Sequence, residues 1–264
     1  MATIVPDKLH KKESKQHHVP DHDYARTIAC NKIDASAPFR WVRLGIKDFF
    51  LLPTISFFYG LCFMAAAIAV VQLTQWQGSH LIVLPSLIVF MLIGPFLALG
   101  LYDASWQREK GHQANLLKSI KAINRNSTSQ WAFAVLLTVT LIFWMRIAAL
   151  VHVFYPQVES APLADFIPFL LTNAVIGLVV AGLIFSISAF SIPLMMERRV
   201  DMMTAVFTSF NAVKENLSAM IVWAIMICIG TLIGFATYGV GMLAVIPILG
   251  YGTWHAYRET IVRK

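Results

Sequence analysis

Charge is the scarcest thing in this chain. Asp, Glu, Lys and Arg make up only 13% of its 264 residues, roughly half the share of an ordinary soluble domain. That scarcity excludes a disordered protein, a nucleic-acid-binding domain with a broad basic face, and a conventional soluble enzyme. Cysteine is nearly missing too. Cys30, Cys62 and Cys228 are an odd number with no CxxC spacing, which argues against a disulfide framework or a zinc site and for small buried hydrophobes. The sequence also lacks a P-loop, a GxSxG or an HExxH pattern, and no pair of carboxylates falls inside an apolar run. It therefore offers no catalytic constellation, no cofactor site and no proton relay of the usual kind.

What is abundant is apolar. Hydrophobic residues reach 58% and gather into six runs long enough to cross a bilayer. The runs cover residues 53–75, 81–102, 131–153, 166–192, 218–238 and 240–257. In lipid each must be helical, because only a helix satisfies its own backbone. The expected fold is all-α, a polytopic membrane protein of six spans, with the last two joined in a tight hairpin at Gly239.

The basic residues orient the spans. Lys and Arg number 9 in residues 1–52, 5 in 103–130, 3 in 193–217 and 3 in 258–264, while the alternate connections at 76–80, 154–165 and 239 hold none. By the positive-inside rule both termini face the cytoplasm. Trp41, Trp106, Trp131 and Trp254 fall near the inner boundary and Trp76 near the outer one, as an aromatic belt would. No cleavable signal sequence is visible. Residues 1–37 read as a disordered cytoplasmic tail and 38–260 as the membrane domain. The lysine cluster of the tail suits anionic headgroups. Its His10, His17, His18 and His22 match no defined metal-site spacing.

An internal repeat underlies the spans. Residues 40–58, 114–133 and 203–223 resemble one another: each is a short amphipathic stretch running straight into a span. A small residue recurs at Gly45, Ser119 and Ser209, a break follows eight residues later at Pro53, Ser127 and Leu217, and Asn126 corresponds to Asn216. The second span of each unit carries a proline, Pro95, Pro193 or Pro247, followed eight residues on by Asp103, Asp201 or His255. Each proline frees the carbonyl four residues earlier and kinks its helix. The kinks either frame a shared inner vestibule or are packing features of an old triplication.

The runs IGPFLALGLYDASWQREKG, IPLMMERRVDMMTAVFTSFNAVKEN and VIPILGYGTWHAYR resemble a bacterial family of predicted inner-membrane proteins, domain of unknown function 2189. The resemblance covers about residues 38–260. It implies a bacterial inner-membrane protein, often of gram-negative species, and supplies no activity. Some members carry the label of a cytochrome c oxidase subunit I-like protein. A haem-copper centre needs several histidines deep in facing spans. Here His80 and His152 fall near the outer boundary, and His112 and His255 near the inner one. The residues reject haem-copper catalysis, leaving an accessory or assembly role beside an oxidase.

Arg146 is the single charge within a run, roughly 22 Å from the inner end of its span at 1.5 Å per residue. It reads as an anion site or a partner for Glu159 or Asp165, or as a side chain snorkelling to the outer surface. Asp48, Asp103, Glu197 and Asp201 gather at the inner boundary beside Arg43, Arg108, Arg198 and Arg199, as interfacial ion pairs or as a polar ring around a vestibule. The candidate functional residues are Arg146, Asp103, Asp201 and His255. The expected role is a non-catalytic accessory, assembly or regulatory factor for a membrane complex, with a small-solute transporter or channel as the alternative. The expected partners are the bilayer and either a membrane complex or a second copy, with no nucleic acid.

Overall fold

A computed structural model describes residues 27–77, 94, 97–151 and 163–262. Every element named among them is a helix. Helix α1 covers Ala37–Leu51 and α2 Pro53–Gln77. Helix α3 is described over 97–109. Then come α4 (Leu116–Lys121), a 3-10 turn at Ala122–Asn124, α5 (Ser127–Val151), α6 (Leu163–Ser188) and α7 (Ser191–Arg198). The chain ends with α8 (Met202–Glu215), α9 (Leu217–Ala236) and α10 (Met242–Thr260).

Among the described residues, four stretches are long and apolar enough to cross a membrane: Pro53–Leu73, Ser127–Val151, Phe166–Arg198 and Leu217–Ala236. At about 1.5 Å per residue, even the shortest reaches the roughly 30 Å of a hydrocarbon core. They carry the first, third, fourth and fifth expected spans. Most of the expected second span, Pro95 included, lies outside the described residues. The expected sixth span is the helix α10, and it differs from the others in kind. It buries Tyr251, Trp254 and Tyr257 almost completely among α1, α2 and α9. A helix enclosed by protein need not be apolar all round, which is why α10 carries histidine, threonine and glycines where its neighbours carry leucine and isoleucine.

The packing on α10 is backbone to backbone in two places. A Cβ at Gly45 of α1 would strike the carbonyl oxygen of Ile248, and one at Gly60 of α2 the carbonyl oxygen of Leu243. Leu243 is the carbonyl that Pro247 leaves without its helical donor. It therefore faces the backbone of α2. Gly230 and Gly234 of α9 also turn toward α10 side chains, Val245 and Leu249 for the first and Met242 for the second.

The short helices are set by local chemistry. Pro38 occupies the first turn of α1, where a missing N–H costs nothing. Asn115 caps α4 by accepting the Leu117 N–H at 2.9 Å, and Asp201 caps α8 by accepting the Thr204 N–H at 3.0 Å. At Pro193 the chain is divided rather than merely bent. Helix α6 ends at Ser188 and α7 begins at Ser191, and the Phe190 N–H between them is taken by the Ser209 hydroxyl at 3.1 Å.

Each short helix lies on a helix from another part of the chain. Helix α1 lies along α10, and α8 along α6 and α7. Helix α4 meets α3 where the Ser119 hydroxyl donates to the Gly100 carbonyl at 2.6 Å. Residues 28–36, which composition assigns to the tail, are held in place. Ile28 N–H donates to the Thr208 hydroxyl at 3.0 Å, Ile33 N–H to the Asn216 side chain at 2.6 Å, and Asn31 N–H to the Thr260 carbonyl at 2.8 Å. These are bonds from backbone to distant polar groups, which hydropathy does not register. Residues 1–26 lie outside the described residues.

Candidate functional site

The charges of α1, α3, α7 and α10 converge at one end of the helix bundle. Asp48 lies on the buried stripe of α1 formed with Trp41 and Gly45, and it is 2% exposed. Its carboxylate accepts from the Ser105 hydroxyl at 2.8 Å and meets His255 Nε2 at 2.9 Å, and Arg108 forms its ion pair. Three helices are thus tied to one buried acid. Serine, histidine and aspartate are all present, but serine and histidine both contact the aspartate instead of each other. A triad bonds its nucleophile to its base; here both side chains bond the acid, and the knot ties α1, α3 and α10 together.

Asp103 forms a second knot one step away on α3. It is fully buried. Arg125 lies 2.5 Å from one oxygen and the Gln107 amide 2.5 Å from the other. Burial pushes this carboxyl up from its ordinary value, and Arg125 pulls against that shift. The Gln107 carbonyl oxygen accepts the Asn115 N–H at 3.2 Å, linking the knot to the cap of α4. Arg125 and Lys110 both stand over the Trp106 ring, at 4.4 and 4.6 Å from its centre.

Arg258 makes the third knot. It reaches Glu109 of α3 at 2.7 Å and Glu197 of α7 at 2.5 Å, and the Tyr257 hydroxyl donates to Glu197 at 2.5 Å. Nearby, Glu259 accepts from the Trp41 indole at 2.8 Å and pairs with Arg40. A buried charge with its partner removed is expensive, about 3–5 kcal/mol. The pairs on Asp48, Asp103 and Glu197, whose carboxylates are largely buried, therefore hold helix ends together, whereas the exposed Arg40–Glu259 pair adds little.

A cavity of about 240 Å³ lies just inside this polar end. It is walled by α2, α3, α6, α7, α9 and α10. Gly94, Ile192 and Ile246 all face it, and each is the residue before one of the three prolines. Its described lining is apolar or hydroxyl-bearing, with Tyr102, Ser188, Thr231 and Thr253 supplying the hydroxyls. Tyr102 is bonded to Thr253. The next turn of the same two helices carries Asp103, Ser105 and His255, so the cavity and the knots are neighbours along α3 and α10.

The sequence-derived candidates are distributed as follows. His255 and Asp103 fall in neighbouring knots, joined through α3. Asp201 stands apart, nearly exposed, as the cap of α8, its carboxyl held below the usual range by Thr204. Arg146 is exposed on α5. Glu159 and the Asp165 side chain, its expected partners, lie outside the described residues. Pro193 lies in the first turn of α7, just past the break after α6, and Pro247 lies inside α10. Composition and spacing did not single out Arg125, Glu109 or Arg258 at all. Asp48 was placed only at the inner boundary. The one signal that could have found them is the surplus of cations in the 103–130 loop and the carboxyl tail, each needing a partner at the inner boundary. Among the described residues no three His, Cys, Asp or Glu side chains gather as a metal-ligand set.

Residues 83–197 match the model of a family described as predicted integral membrane protein (DUF2189). It is the family that the sequence motifs resemble. The match runs from the expected second span to the end of α7. With the four apolar stretches, it makes the chain an integral, multi-pass membrane protein. Comparison with curated proteins and with solved structures finds no match.

Proposed function

We propose that this chain is a non-catalytic protein of a bacterial inner membrane, built from three units of interfacial helix, outgoing span and returning span, and that it serves as an accessory, assembly or regulatory factor for a membrane complex. The packing supports three units closed in a ring. The α1 of the first unit lies on the returning helix of the third, α4 of the second on that of the first, and α8 of the third on that of the second. Gly45, Ser119 and Ser209 mark these contacts. Asn126 donates to the Val200 carbonyl at 2.8 Å, where the third unit begins, and Asn216 donates to the Asn31 carbonyl at 3.0 Å, where the first begins. Leu52, the matching residue of the first unit, packs instead in one apolar cluster with Ala114 and Leu116, where the second begins.

The observation that carries the role is the pairing of charge. Asp48, Asp103, Glu109 and Glu197 are each spoken for by an arginine at the inner end, and the lining of the central cavity is uncharged among the described residues. Such an interior offers a solute ion little to bind. The test is a tagged pull-down from native bacterial membranes in mild detergent, read by mass spectrometry. A stoichiometric partner complex is expected. Recovery of the chain alone, with every membrane complex intact after its deletion, contradicts the reading. The central cavity is the one observation favouring transport. That reading requires a specific solute flux in proteoliposomes that Asp103→Asn or Arg146→Ala diminishes.

A further inference from the structure

The seam between α6 and α9 differs from the closed seam between α2 and α10. Where α2 meets α10, Gly60 lets the backbones touch. Between α6 and α9 lies an apolar groove of about 530 Å³, floored at the interfacial end by Val213 and Leu217 and open along Leu178, Ile221 and Ile225. Those three side chains are more than half or about half exposed, on two of the helices apolar enough to span a membrane, so the medium they meet is hydrocarbon. Two residues line both this groove and the central cavity: Phe185 of α6 and Ile227 of α9. They stand between the groove and the cavity.

We propose that the seam between α6 and α9 is a lateral portal, gated by Phe185 and Ile227, through which the central cavity takes the acyl chain of a bilayer phospholipid. The chemistry of both spaces suits a hydrocarbon chain. The groove is almost wholly apolar in its lining. In the cavity the Ser188 hydroxyl is spent on the Ile184 carbonyl at 2.6 Å, and that of Thr253 on the Leu249 carbonyl at 2.9 Å. Tyr102 is bonded to Thr253, and the rest of the described lining is mostly apolar. The proposal is independent of the partner reading above, because it concerns the purified chain in lipid alone.

The test uses the full chain in phosphatidylcholine vesicles doped with a phosphatidylcholine bearing a diazirine near the end of one acyl chain. After illumination, adducts are mapped by mass spectrometry. Adducts are expected on Tyr102 and Thr253, which face the cavity, as well as on Leu178, Ile221 and Ile225. Ile227→Phe, which thickens the wall, lowers the interior adducts at least several-fold and leaves those in the groove. Phe185→Ala, which thins it, raises them. Adducts confined to outward-facing residues in the wild-type chain overturn the proposal and need no variant to fold. Interior adducts that neither variant changes overturn the assignment of the portal to this seam.

Discussion

At the residue scale, the fold depends on a few places where nothing larger or less charged will fit. Gly45 is one. An added methyl meets backbone, which cannot rotate away, so Gly45→Ala is expected to cost about 1–3 kcal/mol through overpacking. Gly182 of α6 faces open space, so Gly182→Ala is neutral or gains a few tenths through helix propensity. Thermal unfolding of both variants in detergent checks the contrast, and equal loss in the two contradicts the packing of α1 on α10. Asp48 is another. Asp48→Asn leaves Arg108 and His255 without their acid and is expected to lose about 3 kcal/mol, read as a lowered midpoint in denaturant. His255 and Asp103 were legible as candidates because they stand at a repeated distance from a proline. Their partners were not, because hydropathy measures how much polar surface a segment has and not which distant group satisfies it.

At the scale of elements, capping and enclosure decide what a segment becomes. The Asp201 cap is worth about 1 kcal/mol to α8, so Asp201→Ala loosens the amino end of that helix, and Asp201→Asn keeps it. The carboxyl of Asp201 is held below its ordinary value by Thr204. Its contribution is complete above the ordinary carboxylate range and is lost as pH falls through the lowered value. Unfolding temperatures of the wild type and the Asn variant should therefore diverge only under acid, with the wild type losing more. A constant difference across pH contradicts the cap. The long apolar helices were legible from composition because lipid admits little else. Residues 28–36 were not, since a few backbone bonds to Thr208, Asn216 and Thr260 hold a stretch whose composition reads as tail. The character of α10 was half legible: its length and helix were expected, but its role as the enclosed element shows only in its packing.

At the scale of the whole molecule, three sequence stretches of similar pattern fall on α1, α4 and α8, and each of these short helices rests on a helix from another part of the chain. The central cavity lies beside the residues preceding all three prolines, and the charged groups of α1, α3, α7 and α10 gather at one end of the bundle. The small residues of that pattern were readable, and Gly45, Ser119 and Ser209 each sit where a short helix meets its neighbour. The closure of α1 on α10 was not, because it depends on contacts such as that of Gly45 with Ile248, more than two hundred positions apart. The most direct measurement of this account is the sidedness of its connections. A chain with Cys30, Cys62 and Cys228 replaced by alanine carries one new cysteine at a time, at Ser79, Gln157 or Tyr238 on the expected outer side and at Ser36, Gly111 or Glu215 on the inner. Intact cells are then treated with a membrane-impermeant maleimide. Three hairpin units with both ends inside predict labelling of the first three positions and, until the membrane is opened, of none of the others. Labelling of Glu215 or Gly111 from outside, or protection of Gln157, would contradict it.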